Sequence, residues 1–158
     1  MKKLKLLIFI LPLFLFSNQG FAAFDTLKVM NWNILNFSGT DTSRVQYYRT
    51  VIRSASPDIF VCQEITGTTA NKVLFNQVFQ SFAPGVYDTC TFIDGPDSDN
   101  LLFFKKSKAS FISQTIIGTE LRNIAEFKMY VPFIQDTVRF YSVHLKASSG
   151  ATNEAQRG

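Results

Sequence analysis

Six polar side chains of this 158-residue chain have the right chemistry, and fall at the right places, to act together. Glu64 closes the run Ile59-Phe60-Val61-Cys62-Gln63, which Pro57 and Asp58 open. A carboxylate at the end of so apolar a segment either surfaces into the following loop or holds a cation, because an unpaired buried charge is costly. Asn33 offers an amide oxygen near the end of an earlier apolar segment. A hard cation such as Mg2+ takes oxygen ligands and often needs only one or two carboxylates, keeping several waters. Arg122 could clamp a phosphate. His144, the sole histidine, could give a proton or hydrogen bond to a phosphoryl oxygen. Asp99 could orient that imidazole, and Asn100 beside it could join Arg122 at the phosphate. The set suits metal-assisted attack of water on a phosphate ester. Each residue also has a structural reading: Asn33 and Asp99 as turn formers, Arg122 as a solvated cation, His144 as a partly buried ring.

The elements that must position these residues follow from the patterning. Strands are expected at 27–34, 57–64 and 86–93, with a helix from Thr42 or Ser43 to about 54 and another over 69–82. The first helix carries Val45, Tyr48, Ile52 and Ala55 along one face, and Pro57 stops it. The second carries Leu74, Val78 and Phe82 at four-residue spacing. After the turn-prone 94–99, consecutive strands are expected at 101–106, 110–117, 123–131 and 138–145. The fold class is therefore α/β, a partial sandwich with a mixed sheet and flanking helices. Following strand direction along this order places Asn33, Glu64, Asp99, Asn100, Arg122 and His144 at one edge. Ligand sites of α/β sheets favour the carboxyl ends of parallel strands.

Residues 1–22 read as a cleaved signal peptide, which implies export to the periplasm or beyond. Lys2, Lys3 and Lys5 precede an apolar run over 6–16, and Gly20-Phe21-Ala22 supplies a small-residue cleavage pattern. That run is too short for a permanent membrane span. The formal charge of +4 comes from 16 Lys+Arg against 12 Asp+Glu, and removing the three leader lysines leaves 13 against 12, or +1. The basic balance thus belongs mainly to the leader and does not itself argue for a nucleic-acid partner. Cys62 and Cys90 could form a disulfide in an exported chain or remain core thiols. No Walker loop, Gly-x-Ser-x-Gly elbow, His-Glu-x-x-His or Gly-x-Gly-x-x-Gly is present.

Three segments carry a resemblance. Leu27-Lys28-Val29-Met30-Asn31-Trp32-Asn33-Ile34, Pro57-Asp58-Ile59-Phe60-Val61-Cys62-Gln63-Glu64 and Phe140-Tyr141-Ser142-Val143-His144-Leu145-Lys146 resemble successive motifs of the endonuclease/exonuclease/phosphatase superfamily, of the deoxyribonuclease I-like type. The resemblance implies that Glu64 is the principal metal ligand and that Asn33 assists it. It implies that His144 contacts the scissile phosphate, with Asp99 as its carboxylate partner and Arg122 on the phosphate. The implied cofactor is Mg2+, with Mn2+ or Ca2+ as substitutes. The implied substrate is nucleic acid, DNA ahead of RNA, with a sphingomyelin-type phospholipid or a phosphoinositide as the alternative. The family's later Gly-Asp-x-Asn motif and Asp-His pair, which carry the general base, are not in this sequence. Residues 23–158 are therefore expected to be the N-terminal portion of a truncated domain, with a non-catalytic remnant as a further reading. On this expectation the second sheet is missing and an aromatic face is exposed.

Overall fold

The computed structural model describes residues 25–95, 97–119, 122–145 and 149–155. The expected leader, 1–22, lies outside them. Strand β1 (Val29–Phe37) leads through helix α1 (Val45–Ala55) to strand β2 (Ile59–Ile65), and the two strands pair in parallel. A helical segment follows as α2 (Thr68–Val73), a π-helical stretch (Leu74–Phe79) and a last turn, α3 (Gln80–Phe82). Strands β3 (Tyr87–Thr89) and β4 (Asp99–Lys105) complete the first sheet in the order β1-β2-β4-β3, with β4 antiparallel to both neighbours. Strands β5 (Ser110–Ile117), β6 (Ile124–Val131) and β7 (Asp136–Ser142) form a separate antiparallel sheet, and a short helix, α4 (Ala151–Ala155), comes last.

The first sheet is covered on both faces, which is why β2 and β4 read as unbroken apolar runs. Phe60, Cys62, Leu101 and Phe103 point to the helices and pack with Tyr48, Ile52, Leu74 and Phe79. The alternate residues Ile59, Val61, Leu102 and Phe104 pack with Ala125, Phe127 and Met129 of the second sheet. The expectation that a covering sheet is missing is thus corrected. The strands over 110–142 leave the first sheet and fold back on it as that cover. Cys62 and Cys90 belong to these two different cores, one on each face, and both are free. Burial pushes both thiols up, so they are inert packing groups.

Helix α1 buries Val45, Tyr48 and Ile52 at the expected spacing. Ser56 ends it in a left-handed conformation, returning its N–H to the Ile52 carbonyl, and Pro57 prevents continuation. The second helical segment departs from the expected face. Leu74, Val78 and Phe79 are buried, while Phe82 is not fully buried. The wider π turn brings residues five apart onto one side, so Phe79 follows Leu74 inward. The strand expected over 86–93 is short and ends at Thr89, with one further backbone bond from the Cys90 N–H to the Leu102 carbonyl at 2.9 Å. No helix among the described residues is long and apolar enough to cross a membrane.

Phe79 is the centre of the helix-side aromatic packing, with ring centroids 4.4 Å from Phe103 and 4.8 Å from Tyr87. Phe79→Ala should lower unfolding free energy by about 3–5 kcal/mol in urea denaturation. A loss below about 1 kcal/mol would contradict the assigned π-turn face.

Candidate active site

The parallel pairing of β1 and β2 is regular as far as Asn33 opposite Gln63 and resumes only at Phe37 opposite Ile65. Between these points Glu64 stands alone against three residues of β1. It adopts a left-handed backbone with φ 63°, as do Leu35 (φ 56°) and Asn36 (φ 44°). A non-glycine residue held there costs of order 1–3 kcal/mol, so surrounding contacts must hold it. Arg44 supplies many of them. Its guanidinium donates to the carbonyls of Ile34 (3.1 Å), Leu35 (2.6 Å) and Asn36 (3.4 Å), and the Tyr48 hydroxyl donates to Ile34 as well. Bulges of this kind re-aim a side chain.

The side chain re-aimed is Glu64. Its Oε1 accepts from Asn33 Nδ2 at 2.8 Å, and its Oε2 accepts from the Asn36 backbone N–H at 2.8 Å. His144, two residues beyond the end of β7, brings Nε2 to 3.3 Å from Glu64 Oε1. Burial holds the imidazole below its ordinary pKa, and the Arg122 charge adds to this against the opposing pull of Glu64 and Asp97. The ring is therefore neutral at neutral pH, and its contact with Glu64 joins a carboxylate to an uncharged imidazole. Its Nδ1 is buried without a hydrogen-bond partner.

Asn33, Glu64 and His144 thus converge, from the middle of β1, from near the end of β2 and from just beyond β7. The other three expected residues have different partners. Asp99 Oδ1 accepts from the Gly95 N–H at 2.9 Å, and its buried Oδ2 has no partner. The orienting contact expected between Asp99 and His144 is not made, because the Asp99 carboxyl is folded into its own 94–99 loop. Burial, with Asp94 nearby, pushes Asp99 up to about 6. Asn100 is buried between the sheets, accepting from Ser142 and donating to the Asn123 carbonyl. Arg122 pairs with Asp97 at 2.8 Å, close enough to His144 to act on it electrostatically.

Among the described residues no group of three or more His, Cys, Asp or Glu gathers as a metal cluster. What the edge presents is one carboxylate, backed by N–H donors from Asn33 and Asn36 and paired with no described cationic side chain. That fits a hard cation that keeps waters and takes one carboxylate. Asn33 donates its Nδ2–H to Glu64, and its Oδ1 accepts from the Leu35 N–H at 2.9 Å. Here it positions Glu64 rather than offering an oxygen. Sequence reasoning did not single out Asn36 or Arg44, since both act through a bulge that no local pattern announces. Gln63 did carry a signal, being a polar residue inside a buried run.

Solved structures share this fold. D. rerio TDP2 complexed with a single strand DNA product superposes at TM-score 0.56 with 16% identity, covering 81% of this chain and 49% of that one. The human Nocturnin catalytic domain with bound sulfate anion gives TM-score 0.56 and 18% identity, covering 81% and 53%. An endonuclease/exonuclease/phosphatase family protein from Bacteroides thetaiotaomicron gives 0.52 and 16%, covering 73% and 49%. The chain shares its α/β sandwich fold with these structures and spans about half their length. No family model matches the sequence, and no curated protein matches it.

Asp99 gives a prediction with a definite sign. Its folded pKa is raised from 3.8 to about 6, so its contribution is fully present below 3.8 and is lost as pH rises through 6. Asp99→Asn should therefore gain in Tm over the wild type across that interval and hold the gain above it. Thermal melts in a buffer series test this, and parallel curves for the two proteins would exclude it.

Proposed function

We propose that this chain carries the metal-binding part of a divalent-metal-dependent phosphodiesterase site, acting on nucleic acid with DNA ahead of RNA, in a protein exported through its N-terminal leader. The observation that carries the reading is the meeting of Glu64 of β2, Asn33 of β1 and His144 from just beyond β7. The shared fold adds support, since one structure with it was solved with a DNA product and another with sulfate, an analogue of phosphate in charge and shape.

In this reading Glu64 is the residue that holds the cation, with Mg2+ the natural choice and Mn2+ a substitute. A bound divalent cation supplies Lewis-acid polarisation of a phosphoryl oxygen. Asn33 and the Asn36 N–H keep the Glu64 carboxylate in one orientation, so that little reorganisation is needed on binding. His144 stays neutral at neutral pH, and its single N–H, on the Nε2 that faces Glu64, is the donor a phosphoryl oxygen brought beside the carboxylate would share as charge develops. Arg122 places positive charge beside that ring, and its partner Asp97 keeps it there.

The test is Mn2+ binding by this chain, together with hydrolysis of plasmid and single-stranded DNA, with Mg2+ and with or without EDTA, by a form that also carries the later Gly-Asp-x-Asn and Asp-His motifs. EDTA and Glu64→Gln should each abolish cleavage. His144→Gln should lower kcat by about 10²–10³-fold, the usual effect of losing one donor to developing charge. Cleavage that ignores EDTA, or that survives Glu64→Gln, would overturn the proposal.

A further inference from the structure

Glu64 lies in the first sheet and His144 just beyond the end of β7 in the second, and the contact between those sheets is mostly apolar. Apolar packing is non-directional and by itself leaves one sheet free to slide on the other. Directional contacts between the sheets gather at the edge where Glu64 lies. Gln63 Nε2 donates to Asn31 Oδ1 and to Ser142 Oγ (2.9 Å). The Ser142 hydroxyl donates to Asn100 Oδ1 at 2.8 Å, and Asn100 Nδ2 donates to the Asn123 carbonyl at 3.0 Å. Gln63, Asn100 and Ser142 are 5%, 6% and 2% exposed, so water does not compete for these bonds.

We propose that Ser142 is a positioning residue: its buried hydroxyl ties the end of β7 to β2 and β4 and thereby holds His144 against Glu64. The sequence placement is what makes this effective. Ser142 lies two residues before His144, Gln63 immediately precedes Glu64, and Asn100 is on the strand paired with Gln63. The hydroxyl has one proton and gives it to Asn100, and its lone pair takes the Gln63 N–H. It is thus the only group among the described residues that bonds both β2 and β4 from β7. An apolar residue of similar size would keep the packing and lose the register. The geometric part of this inference stands without the phosphodiesterase reading; the part that concerns rate rests on it.

The sole histidine makes the test direct, since its ring signals need no assignment among others. The change that Glu64→Gln produces in the His144 ring NMR shifts, at one fixed alkaline pH, reports the contact between the two side chains. That change should be large in the wild-type background, small with Ser142→Ala and restored with Ser142→Thr. Phe127→Leu, which loosens the same inter-sheet core without touching the polar chain, serves as a control of reduced stability and should retain it. If Ser142→Ala does not fold, Ser142→Cys, of similar size but a weak donor and acceptor, is judged by the same criteria. Where the protein cleaves DNA, Ser142→Ala should lower kcat by about 10²-fold with little change in KM, as expected for a misplacement near 1 Å. An undiminished Glu64–His144 response in the Ser142 variants, or an equal loss in Phe127→Leu, overturns the proposal. Absence of Mn2+ binding that depends on Glu64 in the wild type, with the NMR pattern as expected, overturns the phosphodiesterase reading and leaves the positioning role supported.

Discussion

The candidate site depends on one backbone irregularity. Glu64 is an unpaired residue in a left-handed conformation inside an otherwise regular strand pairing. In a regular strand its side chain would follow the alternation of β2, and no such turn of the backbone would present it to Asn33 and Asn36. The bulge takes it out of that alternation at a conformational cost. Arg44 offsets the cost by binding three successive carbonyls that the bulge removes from the sheet ladder. Because Arg44 also lies against the Phe37 and Tyr48 rings, the site is anchored to the helix-side core. A charge at the N-cap of α1 and an acid on β2 are thereby parts of one arrangement.

The second sheet contributes differently. Its apolar face completes the other core through Phe127 and Met129, which fixes the distance between sheets by close packing. Its register at the site is carried by Ser142, Asn100 and Gln63. A division of labour between shape-filling and directional contacts is what a site split between two sheets requires. His144 approaches Glu64 from beyond the end of β7, where no strand pairing would hold it.

Electrostatics at this edge are arranged to keep opposite tendencies apart. The His144 ring is kept neutral by burial and by Arg122, while Glu64 is given N–H donors. Asp99, the acid expected beside the histidine, instead turns into its own loop, where burial favours its proton. An uncharged imidazole leaves the carboxylate charge available for a cation, whereas an imidazolium would have neutralised it.

The sequence by itself determined much here. Apolar runs and their spacing located every strand core and both long helical segments, and strand direction brought Asn33, Glu64 and His144 to one edge. These features follow from local periodicity, which burial reads directly. It did not show the second sheet as a cover for the first, since an antiparallel run reads alike whether it extends a sheet or folds over it. Nor did it show the π turn that buries Phe79, the bulge at Glu64, or the roles of Arg44, Asn36 and Ser142. Those were decided by tertiary structure, because a left-handed glutamate or a buried hydroxyl is tolerated only where partners distant in the chain supply the bonds it needs.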